Sequence, residues 1–363
     1  MTIQYRSLEY IDELEQVVDL EMLVWELPAR DATPANLLHA MANTGSLVTG
    51  AYDDKKLVGM ALMFPTSRSN KKLLWSHMAA VHPDYQGQGI GFEIKQFQRR
   101  WALENGYLEI GWTFDPLQRG NANFNLHVLG STTNTYHENF YGEMTDGINA
   151  GLPSDRVEVV WKLKNPRVKQ LSQQKQPTPV FSIAGDINEI CLLNSVDNQP
   201  VLSEITFEQS IYLAEIPAKI SALKAISNDL ALKWRIALRE VFEKAFQTGY
   251  SAQDFVAIDG RYYYILVAEQ RWYMYVLECI DQTLYTGITP NLKQRVTKHN
   301  NGRGAAYTKT RRPVRLMAVW QFPNRQAAMK AEIAFKQLSR QKKLDSIAGR
   351  QSFRDAPFVD NDV

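Results

Sequence analysis

Two stretches of this 363-residue chain bring together groups able to do chemistry. The first is His82-Pro-Asp-Tyr-Gln86-Gly87-Gln88-Gly89-Ile90-Gly91, with glycines at alternate positions opening into a helical pattern. Glycines so spaced leave backbone N–H groups free to surround an anion, and a helix N-terminus adds the positive end of its dipole. A dinucleotide fingerprint would need glycine where Phe92 stands, and a Walker loop would need Gly-Lys-Ser/Thr, which is missing. The second stretch is Tyr273-Met-Tyr275, Tyr285-Thr-Gly287, Arg295, His299 and Glu332. It lies in a basic segment: residues 271–348 hold 15 Lys/Arg against 4 Asp/Glu, whereas the first 270 hold 24 against 32. That asymmetry indicates a polyanion-binding tail carried by an otherwise acidic protein.

The elements that must position these groups follow from hydrophobic periodicity. Ile11, Leu14, Val17, Val18, Met22 and Trp25 predict an amphipathic helix over 11–25. Strands are expected at 46–52 and 57–64 around the turn Asp53-Asp54-Lys55, then at 73–81, with a helix over 91–104 and a strand over 108–113. This order suits an α/β sheet with a helix packed on it. The Gln-, Lys- and Pro-rich stretch 166–180 reads as a linker. Beyond it the pattern predicts one long helix over 217–246, then a hairpin of 255–258 and 262–267 about Asp259-Gly260. In the basic segment a second hairpin, 273–277 with 284–288, leads to a helix for which Thr289 is the expected cap and Pro290 the first position. Arg295 and His299 then share one face. A further helix, about 326–340, carries Glu332 as its only acid, with Lys336 one turn on. Residues after Ala348 read as a frayed tail.

Composition, 45% hydrophobic and 11% aromatic, is that of a folded globular chain long enough for two or three domains. Cys191 and Cys279 each sit in an apolar run, so buried free thiols are expected rather than disulfides. Neither a signal peptide nor a membrane-spanning stretch is evident, and the expected location is the cytoplasm.

The motif Gln86-Gly-Gln-Gly89-Ile-Gly91, after Ala80-Val81-His82-Pro83, resembles the Gln/Arg-x-x-Gly-x-Gly/Ala signature of GNAT acyltransferases. Thr113-Phe-Asp-Pro-Leu-Gln118, the phrase 141–153, Trp234-Arg235, 239–242 and 263–266 are similar to a bacterial group of predicted acetyltransferases over about 1–268. The resemblance implies that Val81, Gln86, Gly87, Gln88, Gly89, Ile90 and Gly91 hold the pyrophosphate of acetyl-CoA, or of another acyl-CoA, with Asn123 or Asn121 on the pantetheine arm. An amine of a small molecule or peptide would attack the thioester. Tyr141 would protonate the departing thiolate, with Tyr136 as its rival, and His77 and Glu109 are the candidate bases.

The tyrosine, arginine, histidine and glutamate set resembles the small bacterial branch of GIY-YIG nucleases over 271–347, helped by the phrases 300–308, 310–313 and 338–340. That resemblance implies metal-assisted phosphodiester cleavage, with Tyr275, Tyr285, Arg295 and His299 around the scissile phosphate and Glu332 holding Mg2+ or Mn2+. Tyr273 stands where the family motif begins with Gly, and Thr286 where it has Ile. DNA is the expected partner, with Lys298, Arg303, Lys309, Arg311, Arg312 and Arg315 on phosphates. The fold class that follows is α/β and α+β multidomain: a GNAT mixed sheet over 1–165, a linker, a smaller α+β segment over 181–269, a GIY-YIG α/β domain over 271–347 and a tail. The function expected is a CoA-dependent N-acyltransferase joined to a structure-selective endonuclease. The alternatives are a DNA tether that does not cut and a CoA sensor that transfers nothing.

Overall fold

The computed structural model describes the chain except residues 1, 69–70, 144–150, 174–180, 182, 184–185, 205–206, 208, 270, 323–324, 350–352, 354–358 and 360–363. It divides into two compact units, Met1–Ala268 and Glu269–Val363.

The first unit begins β1 (Ile3–Ser7), α1 (Ile11–Trp25), α2 (Ala35–Asn43), β2 (Leu47–Asp53), β3 (Lys56–Arg68), β4 (Lys71–Val81) and α3 (Ile90–Glu104). It continues β5 (Glu109–Phe114), α4 (Arg119–Ala122), a π-helical turn (Asn123–Val128), β6 (Thr132–His137), β7 (Arg156–Lys162) and α5 (Pro166–Leu171). Then come α6 (Ile187–Ile190), β8 (Cys191–Val196), β9 (Gln199–Leu202), β10 (Ile211–Ile216), α7 (Ile220–Ile226), α8 (Asn228–Gln247), β11 (Tyr250–Ile258) and β12 (Arg261–Ala268). One sheet of 12 strands runs β1-β2-β3-β4-β5-β7-β6-β11-β12-β10-β8-β9. The strands after residue 181 extend the sheet begun by the first 165 residues, across the β6–β11 pair at Thr133 and Ala252.

Helix α1 has the bounds its periodicity predicts, and it buries Leu14, Val17 and Leu20, each contributing roughly 1.5–3 kcal/mol. The hairpin of β11 and β12 turns at Asp259 and Gly260, both at positive φ, as a tight two-residue turn requires. Other expectations need correction. The helix over 217–246 is two helices, because Ser227 is extended and its hydroxyl caps α8 by accepting from the Leu230 amide. The start of the expected linker is α5, whose Val168 and Leu171 are buried. The rest, 174–180, lies outside the described residues.

The second unit comprises β13 (Trp272–Cys279), β14 (Leu284–Thr289), α9 (Leu292–Asn300), α10 (Ala306–Lys309), β15 (Val314–Phe322), α11 (Arg325–Gln337) and α12 (Arg340–Ala348). Its sheet runs β14-β13-β15, antiparallel throughout. Alternate residues of β13 serve two cores. Met274 and Val276 pack with Ala328, Ala331 and Phe335 of α11, while Tyr275, Leu277 and Cys279 pack with Leu292 of α9. The cap of α9 is Asn291, whose side chain accepts from the Gln294 amide, rather than Thr289, whose hydroxyl bonds to Asn291. The helix over 326–340 ends at Gln337, and Ser339 caps a new one. The tail is not frayed throughout: Phe353 packs against Trp320 and Phe335, and the Val359 amide donates to the Val319 carbonyl.

Candidate active sites

In the first unit, β4 and β5 are parallel neighbours but pair only at Leu74–Ile110 and Trp75–Gly111. Beyond those pairs the strands part. Lys95 of α3 sits at the fork, donating to Ser76 Oγ at 2.8 Å with its ammonium 4.1 Å over the Trp112 ring. Burial lowers its pKa to about 7. A bulge displaces β4 at His77, since Leu62 pairs Met78 while Met63 pairs Ser76. A cleft of about 570 Å³ opens between the parted halves, lined among others by Glu21, His77, Thr113, Asn121, Tyr141 and Arg156.

The glycine turn follows β4 directly. Gly87 and Gly89 have φ of 77° and 83°, a conformation that favours glycine, and a Cβ on either would meet nothing within 4 Å. Gln86 donates to the Val81 carbonyl and Gln88 to that of Asp84, fixing the loop. Ile90 is buried beneath it, and Gly91 lies where a Cβ would make ordinary contact with Val81. The first amides of the 15-residue α3 lack intrahelical acceptors and face this exposed turn. The cradle therefore fits a pyrophosphate.

The two tyrosines part company. Tyr141 is 42% exposed on the cleft wall, its hydroxyl 3.3 Å from Thr113 Oγ1 and its ring beside the Arg156 guanidinium. Tyr136 donates to Asp155 at 2.6 Å and packs against Phe242, and burial together with the Asp155 charge pushes its pKa up. His77 lines the cleft. Glu109 does not: it starts β5 opposite Lys162, four residues and roughly 13 Å of strand from Thr113. Asn121 lines the cleft, and Asn123 is exposed at the start of the π-helical turn. Sequence reasoning missed Glu21. The available signal was an acid at the i+7 position of the Leu14, Val17 stripe.

In the second unit four of the five expected residues are directly linked. Tyr275 is fully buried, and its hydroxyl lies 3.0 Å from Arg295 Nε and 2.9 Å from His299 Nε2. His299 Nδ1 is 2.7 Å from Thr308 Oγ1, which donates to the Ala305 carbonyl at 3.0 Å. That carbonyl can only accept, so the network orients itself: Arg295 donates to Tyr275, Tyr275 to His299, His299 to Thr308. Tyr285 stacks on Tyr307 at 6.1 Å and lies tilted beside the His299 ring at 5.1 Å. Burial raises the Tyr275 pKa to about 12, the Arg295 hydrogen bond opposes the rise, and the Glu332 charge adds to it. Glu332 is the one expected residue not linked to the cluster: α11 packs on the other sheet face, against edge strand β14, while Tyr275 leans across β14 at Gly287. Glu332 also bonds Lys336 at 2.8 Å.

Gly287 is the reason Tyr275 fits. A Cβ there would lie 2.5 Å from the Tyr275 hydroxyl, and one on Gly304 would collide with the His299 ring. Gly287→Ala is expected to destabilise the second unit by about 1–3 kcal/mol, the cost of overpacking, measured by urea unfolding of the full chain. Burial, then the Arg295 charge, depresses His299 to about 4 from an ordinary 6.5. Between those values the unfolded chain holds a proton that the folded unit excludes, so stability falls as pH drops from about 6.5 toward 4. Melting temperatures across that window should show the slope, and His299→Gln should remove it.

Arg311 and Arg315 are paired with Asp281 and Glu278. Lys298, Arg303, Lys309 and Arg312 are exposed and have no carboxylate partner among the described residues. Cys191 and Cys279 are both buried and free. No described helix is long and apolar enough to cross a membrane.

Fold and sites together give a protein of two units, one with a cleft beside a glycine turn and the other with a buried Tyr-Arg-His cluster. Residues 14–127 match the model of the acetyltransferase (GNAT) family, and residues 271–345 match that of the GIY-YIG catalytic domain. The chain is 56% identical over 79 residues to a UPF0213 protein of Pediococcus acidilactici, covering 21% of this chain and 81% of that one. A UPF0213 protein of Streptococcus agalactiae is 55% identical over 75 residues, 21% of this chain and 85% of the relative. The solved ribosomal-protein-S18-alanine N-acetyltransferase of Escherichia coli covers 45% of this chain and 94% of its own, at 16% identity and TM-score 0.36. An N-acetyltransferase of Thermoplasma acidophilum in complex with coenzyme A covers 45% and 99%, at 18% identity and TM-score 0.32. The family models and UPF0213 relatives carry the assignment. Through its second unit the chain belongs to the UPF0213 group of GIY-YIG proteins, and it joins that nuclease domain to a GNAT acetyltransferase domain.

Proposed function

We propose that the first unit transfers an acyl group, acetyl or larger, from CoA to an amine, and that the second cleaves DNA with Mg2+ or Mn2+, preferring branches or flaps. For acyl transfer the supporting observation is the cleft at the parting of β4 and β5, continuous in chain with the glycine cradle. The cradle would hold the pyrophosphate, and the acceptor would enter beside Tyr141. For cleavage the supporting observation is the buried Arg295–Tyr275–His299–Thr308 chain.

Among the described residues no three His, Cys, Asp or Glu side chains gather as a metal cluster. A lone carboxylate suits Mg2+ or Mn2+, which keep waters and take substrate phosphate oxygens, better than zinc. Glu332 would hold such an ion, which would supply charge stabilisation to a phosphate oxygen and to the leaving oxygen. Tyr275, with its pKa pushed up and its proton directed at His299, positions Arg295 rather than acting as base. Arg295 then neutralises charge growing on the phosphoryl oxygens, and half-buried Tyr285 orients the water. Lys298, Arg303, Lys309 and Arg312 would contact phosphates, giving salt-sensitive and largely sequence-blind affinity.

The test is the purified full chain with acetyl-CoA and a panel of amines, scored for thiol release, and with branched and linear DNA plus Mg2+ or Mn2+, scored for nicking. Saturable acetyl-CoA binding without thiol release would leave a sensor. DNA retention without nicking would leave a tether.

A further inference from the structure

We propose that Glu21 recognises the acyl acceptor as an ammonium ion and takes its proton. The proposal rests on the acyl-transfer reading of the cleft. Glu21 is 5% exposed, on the face of α1 that otherwise buries Leu14 and Val17, and it lines the cleft with His77 and Trp25. Its two oxygens accept one hydrogen bond each from Thr33, the amide and the hydroxyl, both at 3.1 Å. Neither donor is charged, and no ion pair of Glu21 occurs among the described residues.

A buried carboxylate normally needs a cation, because desolvating an uncompensated charge is costly. The other acid of the cleft has one: Asp115 is held by both terminal nitrogens of Arg235, at 2.6 and 2.8 Å. Glu21 has neutral donors only, and burial holds its carboxyl above the usual range. The titratable and charged groups sharing the cleft are His77 on β4, Asp115 after β5, Arg156 on β7 and Tyr141. None of them bonds Glu21 among the described residues; the His77 charge lowers the Glu21 carboxyl, but burial outweighs it, and an entering cation would supply the direct ion pair. Trp25, one turn on, also lines the cleft.

The protons balance. Glu21 takes one from the ammonium and later returns it to solvent. The amine nitrogen forms a bond to the thioester carbonyl carbon, the carbon–sulfur bond breaks, and the nitrogen's second proton ends on the thiolate, by way of Tyr141. An acceptor already neutral at working pH would not need Glu21.

The experiment uses the full chain with acetyl-CoA and two small probes, butylamine, which is cationic at neutral pH, and O-methylhydroxylamine, which is not. Glu21→Gln should lower kcat/KM for butylamine by roughly 10²–10³-fold, within the span of general-base catalysis, and abolish its acid limb. Turnover of O-methylhydroxylamine and binding of acetyl-CoA should change little. Glu21→Asp, which keeps a carboxylate, should preserve the difference between the probes at a lower rate. Equal loss for both amines, or no loss, in Glu21→Gln would overturn the proposal while transfer stands, as would a Glu21→Asp variant that loses butylamine turnover selectively. A wild-type chain that binds acetyl-CoA but releases thiol with neither amine would overturn the transfer reading itself.

Discussion

Glu332→Gln is expected to lower metal-dependent DNA cleavage by about 10³-fold, the scale of losing one preorganised electrostatic group at a phosphoryl centre. Gln keeps the size and the polarity of the side chain but removes the charge that would hold a divalent ion. Glu332 is the sole acid of α11, so no neighbour on that helix can substitute. Its ion pair with Lys336 joins groups one turn apart, Lys336 exposed and Glu332 largely covered. The Gln amide oxygen can still accept from Lys336, so stability should change by no more than about 1 kcal/mol. Gel retardation of branched DNA by wild type and variant should coincide, and nicking in Mg2+ should separate them. Equal nicking by both would place the ion elsewhere.

Arg235→Met should destabilise the first unit by about 3–5 kcal/mol, because it strands Asp115 as a buried, unpaired charge. Arg235 is 2% exposed, and its bidentate bond to Asp115 ties α8 to the end of β5. Arg239 reinforces the same junction by bonding Asp155 with two nitrogens, at 2.9 and 3.0 Å. In a unit of this size the loss corresponds to a fall in melting temperature on the order of 10 °C. Calorimetry of the full chain measures it. Asp115→Asn with Arg235→Met should recover part of the loss, since then no charge is left behind.

Elements with a strong local signal were legible from residues alone. The α1 stripe, the Asp259-Gly260 turn and the β13–β14 hairpin all have their reasons within a dozen residues. Boundaries failed where a short polar side chain caps a helix inside a longer apolar pattern, at Ser227 and Ser339. Strand β15 was missed although Val314–Phe322 is a nearly continuous apolar run, because periodicity does not distinguish a buried strand from a buried helix. Expectations for the catalytic tyrosines depended on depth. Nothing local shows that Tyr136 is tied to Asp155 and Tyr141 is not, because those partners come from separate elements.

What the chain order alone carried was chemistry by type: a glycine-spaced turn opening a helix, a basic segment, and two families recognisable from short motifs. Glycine spacing, charge and residue identity are one-dimensional properties and survive without coordinates. Tertiary structure decided which groups meet. It took Glu109 away from the cleft, brought Glu21 into it, turned the Tyr275 phenol toward His299, and put α11 with Glu332 on the other face of the sheet. Burial and convergence depend on packing between segments distant in the chain, and proton affinity follows from both.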